Sequence, residues 1–159
     1  MFVKNIIDET FQDYKKPSMM IATCQCDRKC LNELGLDISI CQNSNLVKQN
    51  TKEILNHNIV QRYLKNPITK AIVMGGLEPF LQFDEMNNLI HKFRDYTDDD
   101  IVIYTGYYPE ESQKQITILQ QYKNIIIKFG RYNPNYNKQF DKILGVELAT
   151  SNQFALKIS

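Results

Sequence analysis

Residues 69–79 read TKAIVMGGLEP, and their reading decides the fold. Thr69 to Met74 is a short apolar run closed by Gly75 and Gly76, the pattern of a buried strand entering a tight turn. Asp84 is then placed to cap a helix running to about Arg94, whose Met86, Leu89, Ile90 and Phe93 share one face. The same alternation extends in both directions. Upstream, Ser18 to Thr23 (SMMIAT) reads as another buried strand. Thr51 is placed to cap a helix to about Tyr63, with Ile54, Leu55, Ile59 and Tyr63 on one side. Downstream, Ile101 to Tyr104 and Ile125 to Lys128 read as two more strands. The helix between them starts at Pro109, takes Glu110 and Glu111 into its first turn, and turns Ile116, Leu119 and Tyr122 inward. Strands alternating with helices predict an α/β fold, a parallel sheet covered by helices with right-handed crossovers. Met1 to Lys16 carries no assignable pattern, and the tail beyond Gly130 reads as loop-rich.

The chain has 159 residues, 43% of them hydrophobic and 23% charged, which excludes wholesale disorder and suits one domain over residues 1–159. No repeat or Gly/Ser linker divides it. Lys and Arg number 19 against 18 Asp and Glu, so the net charge of +1 makes no electrostatic case for nucleic acid or an anionic membrane. There is no apolar run long enough to span a bilayer. Met1 to Thr10 is too polar for a signal-peptide core, so the expected location is cytoplasmic. Weak colloidal repulsion and an exposed sheet edge favour docking on another protein or on a second copy of the chain.

All four cysteines, Cys24, Cys26, Cys30 and Cys41, fall in one short stretch. Disulfide staples usually close longer loops, so the packed group reads as a metal or iron–sulfur site in a reducing compartment. There is no Cys-x-x-Cys knuckle, and His57 and His91 lie inside expected helices without the spacing of a Cys/His zinc site. Cluster ligation by Cys26 and Cys30 is the first reading; zinc, and plain redox or structural thiols, stand beside it. Cys24 and Cys26 on one extended stretch point to opposite faces, so both do not easily serve one small cluster: Cys24 either packs beneath the site or replaces Cys26 or Cys41 as a ligand. Ligands of open parallel sheets bind beyond the carboxyl ends of the strands. The cysteines, GGLEP and Tyr104-Thr105-Gly106-Tyr107 all fall there and are expected to form one site. Arg28 and Lys29 read as loop surface, with modulation of a cluster's charge as the other reading. Tyr104, Tyr107 and Tyr108 suit stacking on a purine or simple loop packing.

These residues together resemble the radical S-adenosylmethionine (SAM) superfamily, and within it the small activating proteins of anaerobic ribonucleotide reductase. The family's Cys-x3-Cys-x2-Cys is matched first by Cys26 and Cys30 (CDRKC). Glu33 stands where the third cysteine would fall, and the next is Cys41, followed by Gln42 and Asn43, which implies an eight-residue insertion. Gly75-Gly76-Leu77-Glu78-Pro79 is similar to the family's GGEP segment, with Leu77 inserted. Tyr104 to Tyr107, Gly130-Arg131-Tyr132, Gly145 and Ser151-Asn152-Gln153 extend the likeness. Phe129 occupies the place where the family often carries an acid.

The resemblance implies a radical SAM-like, truncated partial (βα) barrel, since a complete eight-unit barrel needs about 250 residues. It implies Cys26, Cys30 and Cys41 as ligands of a [4Fe–4S] cluster. Gly75, Gly76 and Glu78 would hold the methionyl end of S-adenosyl-L-methionine, with Thr105 and Asn152 at its ribose or carboxylate or else bonding their own loops. The implied activity is that of an anaerobic oxidoreductase: SAM is cleaved reductively and a glycyl radical is raised on a large partner, an anaerobic ribonucleotide reductase, with an electron donor supplying the cluster. Two alternatives stay open. One is a radical SAM enzyme acting on a small molecule or modified nucleoside; the other is a non-catalytic binding protein stabilised by zinc or by a cluster.

Overall fold

The computed structural model describes residues 1–159. Each of the four apolar runs forms a strand: β3 (Ser18–Ala22), β5 (Ala71–Gly75), β6 (Asp100–Tyr104) and β7 (Ile125–Phe129). They pair in parallel, with Met20 opposite Val73, Val73 opposite Val102 and Val102 opposite Ile126. Their apolar character is continuous because both faces are covered. The sheet has six strands, however, and it is mixed. Strand β2 (Asn5–Thr10) lies antiparallel to β3 at one edge, and β10 (Phe154–Lys157) lies antiparallel to β7 at the other. The order β10-β7-β6-β5-β3-β2 ends in two free edges, so the sheet is open.

The crossover helices are α3 (Asn56–Lys65), α4 (Phe83–Arg94) and α5 (Gln113–Leu119). Strands β3, β5, β6 and β7 are laid down in one direction, so crossovers of one hand place all three helices on one face. There Met19, Ile72, Ile101 and Ile127 pack with Ile59, Met86, Leu89, Phe93 and Leu119. The opposite face carries a smaller core, with Val73, Val102 and Ile126 beneath Tyr14, Leu144 and Leu148. It is roofed by the β2–β3 connection and by a hairpin of β8 (Gln139–Asp141) and β9 (Val146–Leu148). A sheet covered by helices is therefore right for one face only.

Several boundaries move. Lys52 and Glu53 form β4, which pairs with β1 (Phe2–Val3), and α3 begins after Leu55 rather than at a Thr51 cap. Asp84 lies in the first turn of α4, where its charge suits the helix dipole, and Gln82 stands at the cap. Pro109–Glu111 is a separate 3₁₀ turn that precedes α5. The cysteine region, expected as loop, contains two single-turn helices, α1 (Lys29–Asn32) and α2 (Ser44–Val47), with a 3₁₀ turn at Ile38–Ile40 between them. No helix is long and apolar enough to cross a membrane.

Candidate functional site

On the helix-free face, Ala22, Gly75, Tyr104 and Lys128 form a row across the carboxyl ends of the parallel strands. Gly75 is required there: a Cβ would stand 2.8 Å from the Cβ of Tyr104. Over this row opens a cavity of about 360 Å³, within the range that holds a cofactor-sized ligand.

Thr23 N–H donates to Gly75 O (2.8 Å) and Glu78 N–H to Gln25 O (2.7 Å), so the chain beyond β3 stays extended alongside the GGLEP turn. Alternation along that stretch separates the first two thiols. Cys24 turns away from the cavity, its Sγ donating to Gln82 Oε1 at 3.2 Å. Cys26 faces the cavity, and its Sγ accepts from Arg28 N–H at 3.3 Å. Cys30 on α1 and Cys41 after the 3₁₀ turn line the same cavity. Burial pushes the thiols of Cys26 and Cys30 up, and each feels the charge of Cys41.

No three His, Cys, Asp or Glu side chains are gathered as a single metal ion requires. A cluster gives each thiolate its own iron and so spreads its ligands wider than one ion does. Three soft donors without a histidine, opening on one cavity, fit that wider demand.

Gly76 also lines the cavity, at φ +81°, where a Cβ would meet Leu46 Cδ2 at 2.7 Å. Glu78 is 6% exposed. Its Oε1 accepts from Thr105 Oγ1 (2.7 Å) and Phe80 N–H (3.0 Å), and its Oε2 from Gly106 N–H (2.8 Å). Burial pushes this acid up against those three bonds, which leave Oε2 able to accept one more donor. Thr105 lines the cavity with its hydroxyl already committed, donating to Glu78 and accepting from Tyr107 N–H. Asn152 lies apart, on an adjoining cavity of about 150 Å³. Its Nδ2 donates to Arg131 O and Tyr108 Oη, while Oδ1 is buried without a partner.

Two residues that sequence reasoning passed over line the main cavity. Lys128 sits on the Ile126 face of β7, and burial pulls its ammonium down to about 8. It donates to Gly130 O at 2.9 Å and forms no ion pair, which leaves further N–H bonds for a ligand. A lysine inside the apolar run IIIKF was its signal. Asp13 comes from the β2–β3 connection, whose sequence gives no such signal.

The cysteine stretch is also latched down. Lys29 pairs with Glu111 (2.9 Å) and lies over the Tyr107 ring, while Tyr107 Oη donates to Asp27 (2.8 Å). Arg131 bridges Glu111 and Glu33, and these bonds hold the Glu111 acid down to about 2. Lys29 thus serves the latch, and Arg28, in the left-handed region at φ 58°, precedes α1.

The α/β core presents three thiols on one cavity beyond the ends of its parallel strands. The chain belongs to the 4Fe-4S single cluster domain family, whose model matches residues 18–152. Comparison with curated proteins and with solved structures finds no match.

Proposed function

We propose that the protein is a radical SAM activating enzyme whose target is a glycine of a large partner, an anaerobic ribonucleotide reductase, with the open sheet serving as a truncated (βα) barrel. The observation that carries this reading is the convergence on one cavity of three thiols, a buried carboxylate and a buried, unpaired ammonium. Cys26, Cys30 and Cys41 hold a [4Fe–4S] cluster. When bound and reduced, that cluster supplies the electron that cleaves the SAM sulfonium to methionine and a hydrogen-abstracting 5′-deoxyadenosyl radical. Glu78 takes the ligand's α-ammonium on the free side of Oε2, and Lys128 takes its α-carboxylate. Gly76 lines the ligand's cavity, Gly75 lies outside that lining and lets Tyr104 pack close to β5, and Thr105 holds Glu78 in place. Asn152 bonds the loops around it rather than the main cavity. Leu34, Ile38 and Ile40, between the second and third thiols, are 40%, 36% and 42% exposed and suit a protein partner.

The test is anaerobic reconstitution with iron and sulfide, metal analysis, and EPR of the reduced protein with and without SAM. About four irons per chain and a spectrum changed by SAM are expected, followed by 5′-deoxyadenosine formation and a glycyl radical on the reductase. Stoichiometric zinc, or a cluster indifferent to SAM, would overturn the reading.

A further inference from the structure

Asp13 lines the same cavity as the thiols, Glu78 and Lys128, and it precedes the region that matches the family model. Its backbone is fixed on several sides. Tyr104 Oη donates to Asp13 O at 2.6 Å, and Tyr14, the next residue, is buried with its Oη donating to Asp100 at 3.0 Å. Lys15 N–H donates to Leu144 O at 2.8 Å. The carboxylate itself is half-buried in the cavity wall, and burial alone acts on it, with no hydrogen bond and no neighbouring cation. A carboxylate withdrawn from water without a donor is costly, and an ionised one accepts only, so its partner must bring donors.

We infer that Asp13 receives the ribose diol of the adenosyl ligand and so distinguishes ribonucleoside ligands from those lacking the hydroxyls. The inference rests on the SAM reading above. In that reading the ligand's ammonium goes to Glu78, which leaves two kinds of donor on the adenosyl part. The exocyclic amine of adenine is flanked by ring-nitrogen acceptors that repel a carboxylate, whereas two adjacent hydroxyls match its two oxygens. Carboxylates receive ribose hydroxyls in the same way at dinucleotide sites.

The experiment titrates the reconstituted, cluster-loaded protein anaerobically with S-adenosylhomocysteine, which is not cleaved, and with its 2′,3′-dideoxy analogue. Cluster content by EPR is recorded for every sample. The wild type is expected to prefer the diol by about tenfold to a hundredfold. Asp13→Ala is expected to bind both at the weaker level, and Asp13→Asn to keep part of the preference. Thermal melting of Asp13→Ala should match or exceed the wild type, because no protein donor loses a partner; Asp13→Asn supplies the same comparison if the alanine variant folds poorly. Discrimination that survives in both variants overturns the inference alone. So does an Asp13→Ala effect of equal size on free methionine, which would put Asp13 at the amino-acid end. A cluster-loaded wild type that binds neither ligand sinks the SAM reading, and the inference with it.

Discussion

The two faces of the sheet are built to opposite specifications. The helix-covered face holds a cluster of twenty buried apolar residues. The other face has a core of only eight, and next to it a cavity lined by Asp13, three cysteines, Glu78 and Lys128. Those residues come from four separate segments, and two of them are charges held out of water with little protein compensation. One face stores stability, and the other gives some up to keep groups ready for a ligand.

The largest break in that comparison comes from the thiols. Cys26→Ala, Cys30→Ala or Cys41→Ala should abolish iron incorporation while Cys24→Ser leaves it intact, as iron and sulfide analysis after reconstitution will read. Next, Phe93→Ala on the helix face should cost about 3–5 kcal/mol in denaturant unfolding, because the ring is fully buried and packs edge-on to Tyr63. Lys128→Met on the cavity face should do the reverse. It removes a nearly uncompensated buried charge and should raise the melting temperature, while weakening methionine and S-adenosylhomocysteine about tenfold to a hundredfold.

A smaller effect belongs to the latch. Glu111→Gln should cost about 1–3 kcal/mol near neutral pH, discounted for partial exposure. The Glu111 acid is held down to about 2 from an ordinary 4.5, so its stabilisation is present above pH 4.5 and fades as the pH falls toward 2. The gap between wild type and variant should close across that window in pH-dependent melting. Smallest is Gly76→Ala, about 1–2 kcal/mol from the positive φ, with the flexible end of Leu46 yielding to the new methyl group.

What was legible in the sequence follows the same division. The four parallel strands are mostly apolar because they are covered on both faces, so composition alone marks them. Strands β2 and β10 are edge strands with polar residues, and only their pairing makes them strands; nothing local in NIIDET or FALK says so. The α3 start moved because Lys52 and Glu53 are drawn into pairing with Phe2 and Val3, a partner about fifty residues away. At the site, only the packing of Cys24 on Gln82 decides which of Cys24 and Cys26 faces the cavity. Glu78 was legible as a motif, but its burial was not, since that depends on Thr105 and Gly106 arriving from the next crossover. Asp13 was invisible because the β2–β3 connection acquires meaning only when it crosses the sheet.

All three cavity thiols lie on the single stretch between β3 and β4, while both cores are closed without them. Small metal-dependent domains unfold when stripped. Here neither apolar core includes the cysteine stretch, so a variant lacking all three cavity thiols is expected to unfold at the same denaturant concentration as the metal-free wild type.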